Sequence, residues 1–472
     1  MSAPSTTRRH SSGVAAEFDP AHSEAALLAR VEELATKARA LGADEAEAFG
    51  SRTETIAVRF EKGELKLAQV DEGSSIGLRV FKDKRQGFTS TNQISADTLA
   101  TAARDALALA RFAPPDAHNA LPAARPIPRT PTLVEPALAR LTVDEVVEQA
   151  CNFVARVKAI DPRLSIDSAS AELVRTTLAV HSSSGVHVAE SDAMLGFSVF
   201  GMAIDGEDVG GFHYDGDSLR RYAEIKPAME RVAQAFGEIT LENLASQAAE
   251  SYRGPVLFSP DAFQDVFLAP LVAASSAIAV QRGRSPLKGK LGLGVATNSL
   301  TLHDDPSDRS LAGAGSFDRE GQPAERRALV ERGVLQTFLY NGYAAAVEGR
   351  SSTGHARGGA RGVPGLGPHA IVVAPGSGGS RAQMLTALGR GLFVQRFSGT
   401  VDPASGDFSG VAKSSRWVEG GRIVRPLKET LISGNCFALL QQILALSTET
   451  ERLGGAATGP FALVDQVNVT AG

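Results

Sequence analysis

The sequence is poor in the residues that common metal and thiol chemistries need. Its 472 residues include two cysteines, Cys151 and Cys436, too few for a disulfide framework or for a zinc site built on cysteine. None of the nine histidines is followed by glutamate, so the H-E-x-x-H motif of zinc enzymes and its longer H-E-x-x-x-H form are missing. So few cysteines suit a reducing compartment, and we expect a cytoplasmic protein.

Other features that would point to a function are also missing. No apolar run approaches the roughly 18 residues that a membrane-spanning helix needs. A formal net charge of -5 without a lysine or arginine run gives no electrostatic basis for binding nucleic acid or an anionic membrane. There is no G-x-S-x-G nucleophile elbow, and the glycines between residues 283 and 294 miss the spacing of phosphate-binding and dinucleotide-binding loops. Residues 1–22 lack the apolar stretch of a secretory signal and are expected to form a disordered tail.

Length and periodicity predict an α+β fold with two domains. Residues 23–245 indicate an N-terminal α+β domain, in which the order helix, strands, helix occurs twice around a proline-rich linker at 113–137. This repetition raises the hypothesis of an internal duplication. Residues 246–472 predict a β-rich C-terminal domain, because glycine and proline interrupt every long pattern except helices at 260–280, 380–389 and 436–446. Thr142 and Glu145 have the spacing of a capping box at a helix start.

One glycine-rich segment is a candidate for binding an extended peptide. Ser352, Thr353, Gly354 and His355 precede a run of five glycines between residues 358 and 367. Glycine leaves backbone N–H and C=O groups accessible, and an extended peptide pairs with such groups by adding a strand. The alternative is a flexible surface loop, which composition alone favours.

Three further positions carry ligand or nucleophile chemistry. His303 and Asp304 combine borderline and hard metal ligands, but adjacent residues seldom converge on one ion, so a solvated turn is favoured. Cys436 opens a predicted helix, whose N-terminus lowers the pKa of a thiol. For both Cys436 and Cys151, packing as a small core residue is the favoured interpretation.

Short motifs distributed along the chain together resemble the TldD/PmbA family. The N-terminal half contributes GADEAE at 42–47 and SSG at 183–185. The motifs of the C-terminal half are LHDDP at 302–306, GSFDREG at 315–321, LVERGVL at 329–335, STGH at 352–355, SGDFS at 405–409, LISGN at 431–435 and VNVTAG at 467–472. Each run is short, but their order and spacing are specific, and the likeness spans nearly everything after residue 23.

The resemblance implies a division of labour between two kinds of subunit. In this family the TldD-type subunit is the metallopeptidase, with a histidine–glutamate–histidine helix and a downstream cysteine that bind a metal; the PmbA/TldE-type subunit lacks both and pairs with it. Here the matching helix at 261–270 has no histidine, residues 454–460 have no cysteine, and Cys436 stands too early. A zinc hydrolase needs three protein ligands and a base. We therefore expect the PmbA (TldE) branch, with no catalytic residues, metal or cofactor in this chain.

Three functional hypotheses follow. The first is a metal-free subunit of a TldD/TldE complex that cleaves unfolded or modified peptides; the metal then sits in a TldD-type partner, and the other partner is an extended peptide. The second is a stand-alone peptide-binding protein that forms a homodimer. A glycine-rich β domain with apolar strands needs a second chain to cover its exposed strands. The third is a hydrolase with an unrecognised serine and histidine arrangement or with a metal at His303 and Asp304. Whether this chain is itself an enzyme stays open on the sequence.

Overall fold

The computed structural model describes residues 18–128, 132–428 and 430–471. Most of the tail predicted for residues 1–22 lies outside the described residues. The first helix begins at Pro20, three residues before the helical periodicity indicates, because Asp19 caps it by accepting the N–H of His22 at 3.2 Å. Along the described ranges no helix is long and apolar enough to cross a lipid bilayer.

A seven-stranded antiparallel sheet forms the N-terminal half, and the predicted repetition of helix, strands, helix is present in it. The strand order is β3-β2-β1-β4-β5, and both β6 and β7 pair with β5. The two copies meet where β1 pairs with β4, from Glu47 opposite Ser182 to Glu61 opposite Ser168. The elements are α1 (Pro20–Ala40), β1 (Glu45–Glu61), β2 (Glu64–Lys82), β3 (Arg85–Thr91), α2 (Ala96–Phe112), α3 (Pro136–Arg140), α4 (Val143–Ile160), β4 (Leu164–Ser182), β5 (His187–Asp205), β6 (Asp208–Val209), β7 (His213–Leu219) and α5 (Tyr222–Glu242).

The two faces of this sheet have different neighbours. Side chains alternate along a strand, and the even-numbered residues of β1 face the helices. Gly50 on that face lets α1 approach closely, since a Cβ there would lie 2.8 Å from Cδ1 of Leu27. On the other face Phe49 packs against Phe317 from the C-terminal half. The sheet is therefore covered by helices on one side and by the other half of the chain on the opposite side.

A mixed thirteen-stranded sheet forms the C-terminal half, as the β-rich pattern predicts. The long strand β22 pairs with β8, β14, β20 and β21, and so it connects the layers of the domain. The helices are α6 (Pro260–Phe263), α7 (Ala269–Ala274), α8 (Ala277–Gln281), α9 (Gly342–Val347), α10 (Arg381–Leu388) and α11 (Cys436–Leu439), with a π-helical segment (Gln264–Leu268) after α6 and a 3-10 turn (Leu440–Gln442) after α11. The strands are β8 (Tyr252–Phe258), β9 (Leu302–Asp304), β10 (Arg327–Glu331), β11 (Val334–Leu335), β12 (Ala356–Arg357), β13 (Gly365–Leu366), β14 (Ile371–Val373), β15 (Gly391–Val394), β16 (Arg396–Val401), β17 (Asp407–Lys413), β18 (Arg416–Glu419), β19 (Arg422–Pro426), β20 (Thr430–Asn435), β21 (Ile443–Leu453) and β22 (Ala457–Ala471).

Two helices differ from the sequence-based expectation. The helix predicted over 436–446 ends after α11 and the 3-10 turn, and β21 takes over at Ile443 because that segment pairs with β22. The helix predicted over 260–280 is broken before α8. Ser275 donates its hydroxyl back to the carbonyl of Leu271 at 2.8 Å, and Ser276 caps α8. A short apolar run cannot distinguish a buried helix from a strand, and tertiary pairing decides.

The two cysteines have opposite environments. Cys151 is exposed on α4, so the prediction of a small core residue was wrong there; the buried stripe of α4 uses Ala150 and Phe153 instead. Cys436 is fully buried, as predicted. Burial raises the pKa of its thiol to about 12, which outweighs its position at the start of a four-residue helix. Cys436 is therefore a protonated core residue at neutral pH.

Replacing Thr142 should measure the predicted capping box. The Thr142 hydroxyl accepts the Glu145 N–H at 3.3 Å, and the Glu145 carboxylate accepts the Thr142 N–H at 2.7 Å. We expect Thr142→Ala to lower the free energy of unfolding by about 1 kcal/mol, because the helix loses one side-chain partner for its free N–H groups. Urea unfolding followed by circular dichroism measures this. The control Glu148→Ala changes an exposed residue of the same helix; an equal loss in both variants would contradict the cap's contribution.

Candidate functional site

An open groove runs between β16 and the helical segment at 260–274. Within the described ranges β16 pairs only with β17, so its other edge is free of strand partners. Opposite this edge the helical segment presents Asp265, Ala269 and Ala273, which are exposed and lie at intervals of four residues. The cavity between them measures about 500 Å³. A free strand edge beside small side chains leaves room for an extended chain.

A π-helical turn shapes the helical wall of this groove. Pro270 has no N–H to donate, and its ring would clash with the carbonyl four residues earlier in a regular α-helix. The chain widens instead into the π-helical segment, where the N–H of Ala269 bonds to the carbonyl of Gln264. Such turns interrupt helices most often at functional positions. This is the segment that the family resemblance aligns with the metal-binding helix of TldD-type subunits.

A second, polar cavity lies between the two halves of the chain, near the start of β16. It measures about 670 Å³, and its lining includes Asp215, Asp261 and Glu451 together with Arg396. Burial raises the pKa of Asp215 to about 6 and that of Glu451 to about 7, although the charges of nearby arginines oppose the shift. The cavity therefore contains carboxyl groups that take up protons near neutral pH.

His213 lies at the wall of the same cavity. It is 3% exposed, and neither of its ring nitrogens has a hydrogen-bond partner among the described residues. Burial, together with the charges of Arg396 and Arg416, lowers the pKa of His213 to about 3. His213 is therefore a neutral ring stacked at 6.0 Å on Phe236.

Two of the motifs that carry the family resemblance, at 302–306 and 352–355, meet in a buried polar cluster around Asp304. His355 Nε2 lies 2.8 Å from Asp304 Oδ2, and His355 Nδ1 lies 2.8 Å from the hydroxyl of Thr353. The backbone N–H groups of His369 and Ala370 also donate to Asp304, at 2.8 and 2.7 Å. Burial alone would raise the pKa of Asp304, but the hydrogen bond from His355 and the histidine charges lower it below its ordinary value. The carboxylate is thus fully satisfied.

Thr353, His355 and Asp304 stand in the order of a nucleophile, base and acid, but they cannot act as a hydrolase triad. The Thr353 hydroxyl already accepts the N–H of Tyr340 at 2.8 Å. His355 and Asp304 are fully buried, and Thr353 is 8% exposed. A catalytic nucleophile needs a neighbouring space for the reacting carbonyl, and burial removes that space. The cluster therefore acts as a structural support.

The four residues predicted to bind peptide lie inside this support. Ser352, Thr353, Gly354 and His355 are buried, and the Ser352 hydroxyl bonds to the Tyr340 carbonyl at 3.2 Å. The expectation of an accessible loop is corrected here, because these polar groups have taken partners within the chain. Their role in peptide binding stays a prediction. The exposed glycines are in the following hairpin loop, at Gly358, Gly359 and Gly362.

His303 and Asp304 point to opposite faces of β9. Asp304 turns into the buried cluster, whereas His303 is half-buried on the other side of the strand. Alternation along a strand separates neighbouring side chains in this way. Asp304 uses its oxygens on His355 and two backbone N–H groups, so it offers no free lone pairs for a metal shared with His303.

A buried ionic network connects the N-terminal sheet to residues 315–321. Glu47 on β1 contacts Arg79 on β2 at 2.7 Å and Arg319 at 3.1 Å, and Arg79 also contacts Glu320 at 2.8 Å. All four side chains are at most 5% exposed. The Arg319 guanidinium lies 3.9 Å from the ring centroid of Phe49. Burial opposes the charge on Arg79, but the two glutamates keep its pKa above the usual value.

Sequence reasoning missed this network because its local signal is ordinary. Glu47 and Arg79 alternate with apolar residues on their strands, a pattern that predicts polar side chains facing water. The structure covers that face with the C-terminal half instead. The one available signal was the position of Glu47 and Arg319–Glu320 within two of the motifs that carry the family resemblance.

Comparison with known proteins agrees with the fold and the motifs. Residues 251–471 match the family model described as the PmbA/TldA metallopeptidase C-terminal domain, and residues 46–110 match PmbA/TldA metallopeptidase domain 1. A metalloprotease PmbA homolog from Haemophilus influenzae is 26% identical over 442 residues, 93% of this chain and 94% of the relative. Metalloprotease PmbA of Escherichia coli O157:H7 is 27% identical over 431 residues, 89% and 91% of the two chains. The crystal structure of TldE from Thermococcus kodakarensis has a TM-score of 0.85 at 23% identity, over 93% of this chain and 100% of that one.

Fold and motifs together define a two-domain α+β protein of a metallopeptidase family. One matched model lies in each half of the chain, and the PmbA relatives extend over nearly all of it. The chain belongs to the PmbA/TldD family. The resemblance inferred from the ordered motifs is thereby confirmed.

Removing Glu47 should test the importance of the ionic network. We expect Glu47→Ala to lower the free energy of unfolding by about 3–5 kcal/mol, because Arg319 and part of the charge of Arg79 stay buried without a partner. Denaturant unfolding measures the loss. The control Glu64→Ala removes the exposed Glu64–Lys66 pair and should cost less than about 1 kcal/mol. A loss below 1 kcal/mol in Glu47→Ala would show that the halves do not depend on this network.

Replacing Asp215 should change how stability varies with pH. The folded protein holds a proton on Asp215 up to about pH 6, whereas the unfolded chain releases it near pH 4. The folded state therefore loses stability as the pH rises from about 4 to about 6, and the full loss is present above pH 6. We expect Asp215→Asn to raise the melting temperature at pH 8 more than at pH 4.5, measured by differential scanning calorimetry. The exposed Asp71→Asn serves as the control; an equal gain at both pH values would contradict the burial argument.

Proposed function

We propose that this chain is the metal-free TldE-type subunit of a TldD/TldE metallopeptidase complex and binds the extended peptide that the complex cleaves. The observation that carries the proposal is the groove between the free edge of β16 and the helical segment at 260–274. In the family resemblance this helical segment corresponds to the metal-binding helix of TldD-type subunits. Here the side chains that face the groove are the carboxylate of Asp265 and the methyl groups of Ala269 and Ala273.

The groove suits recognition of a peptide backbone. An extended peptide can pair with the unpaired N–H and C=O groups of β16, as in other proteins that bind by strand addition. Backbone hydrogen bonds carry no side-chain information, and the alanines opposite impose little steric selection. Unfolded or modified peptides of varied sequence therefore fit the proposal. The buried residues Ser352–His355 contribute by holding the base of the glycine hairpin, where the Gly367 N–H bonds to the His355 carbonyl at 3.2 Å.

The chemistry of the donor set supports placing the catalytic metal in the partner. A zinc hydrolase needs three protein ligands and a general base at one point. Residues 260–281 contain no histidine, and residues 454–460 contain no cysteine. The partner is then a TldD-type subunit that supplies the metal-bound nucleophile, while this chain supplies binding surface and assembly contacts. The free thiols of Cys151 and Cys436 support a cytoplasmic location for the complex.

Reconstitution with a TldD-type subunit from the same organism tests the proposal. The isolated chain should cleave an unfolded peptide at background rate, and the mixed complex should cleave it in a chelator-sensitive manner. Chelator-sensitive cleavage by the isolated chain would contradict the metal-free role. Failure to associate, with peptide binding retained by a homodimer, would favour the stand-alone peptide-binding alternative.

Filling the groove should weaken cleavage by the complex. We expect Ala269→Trp to lower kcat/KM at least about tenfold, equivalent to about 1.4 kcal/mol, because the indole takes the space opposite β16. The control Ala387→Trp places the same side chain at an exposed position of α10, outside the groove. Size-exclusion chromatography checks that both variants still join the complex. Equal activity in the two variants would show that the peptide does not use this groove.

A further inference from the structure

A cluster of metal-ligand side chains lies in the N-terminal half, on the helix-covered face of its sheet. His181 near the end of β4 and His187 at the start of β5 are direct cross-strand partners. Their Nδ1 atoms are 3.1 Å apart. Glu32 on α1 completes the cluster, with one ligand atom from each residue within 4.8 Å of the others. Among the described residues no other three histidine, cysteine or carboxylate side chains come this close.

The hairpin that carries the two histidines is held rigidly at its tip. Ser183 donates its N–H to the Ala46 carbonyl at 2.8 Å, and its hydroxyl accepts the Ala46 N–H at 3.0 Å. The Ser184 hydroxyl donates to the Pro122 carbonyl at 2.8 Å. These bonds fasten the turn to β1 and to the segment after α2. The imidazoles therefore start from a preorganised position, which a ligand site requires.

The third residue is positioned by close helix packing. Leu27 and Val31 of α1 lie against Gly50 so closely that a Cβ at Gly50 would be 2.8 and 2.9 Å from them. Glu32 follows Val31 on the turn that faces the hairpin, and it is exposed. A shift of α1 away from β1 would withdraw the carboxylate from the histidines. The glycine thus sets the distance at which all three groups meet.

The donor set matches a transition-metal ion of the zinc class. Two imidazoles and one carboxylate bind zinc in many proteins, with water in the remaining position. At zinc–nitrogen distances of 2.0–2.1 Å, two nitrogens on a tetrahedral ion are roughly 3.3 Å apart, close to the separation found here. Imidazole binds a metal ion in its neutral form, through the lone pair of an unprotonated ring nitrogen.

We propose that Glu32, His181 and His187 bind one divalent transition-metal ion, which fastens α1 of the first structural copy to the hairpin of the second. The site is separate from peptide cleavage: it lies in the N-terminal sheet, whereas the groove and the helix aligned with the catalytic motif belong to the C-terminal half. The sequence-based expectation of no metal in this chain rested on that helix. His181 escaped notice because only the hairpin pairing brings it next to His187.

Metal titration of the untagged full chain tests the site. After removal of metal with chelator, we expect isothermal titration to show one Zn²⁺ per chain, and Co²⁺ to give the visible absorption bands of a low-coordinate nitrogen and oxygen site. His187→Gln and Glu32→Gln should each weaken Zn²⁺ binding more than about tenfold. The control His22→Gln removes an exposed imidazole from the same helix and should leave the affinity unchanged.

Thermal unfolding supplies the second measurement. Zn²⁺ should raise the melting temperature of the wild type and of His22→Gln but not of His187→Gln, because a ligand of the folded state stabilises it. Without metal the three proteins should melt at the same temperature, which shows that the exposed substitution leaves the fold intact. Absence of Zn²⁺ binding, or binding and stabilisation that persist in His187→Gln, would overturn the proposal.

Discussion

The association of the two halves depends on a network of four buried charges. Glu47 and Arg79 of the N-terminal sheet pair with each other and also with Arg319 and Glu320 of the C-terminal half. The network favours the observed relative position of the halves, because a displacement that kept the interface closed would leave these charges buried without their partners, at a cost of several kcal/mol each.

Residues 315–321 connect the ionic network to the rest of the C-terminal half. Asp318, next to Arg319, accepts the backbone N–H of Ala356 at 2.9 Å, and so it locates the start of the glycine hairpin. Burial and the charge of Glu320 raise the pKa of Asp318. Three backbone N–H groups, those of Glu320, Gln322 and Ala356, donate to this carboxyl and favour its ionised form. The neighbouring cluster at Asp304 and His355 fixes the other side of the same segment. The motifs that indicate the family are thus largely a supporting framework.

Local physical chemistry predicted the elements whose stabilising contacts lie nearby in the chain. The capping box of α4 needs only Thr142 and Glu145, and the structure contains it. The repeated helix and strand order of the N-terminal half follows from periodicity alone. Cys151 was expected in the core, but the buried stripe of α4 passes beside it. The segment after the first turns at Cys436 forms a strand, because it pairs with β22, the next strand along the chain. These errors arose where packing or strand pairing, and not local preference, decides the environment of a residue.

The sequence by itself determined the family, through the order of its motifs, and the lack of histidine at 260–281 and of cysteine at 454–460. Those statements concern which side chains exist, and no fold is needed to make them. The tertiary structure decided which side chains meet. It buried Ser352–His355, opened the groove beside β16, and joined Glu32 to His181 and His187. Such distances depend on helix packing and strand register between remote segments, which no local pattern encodes.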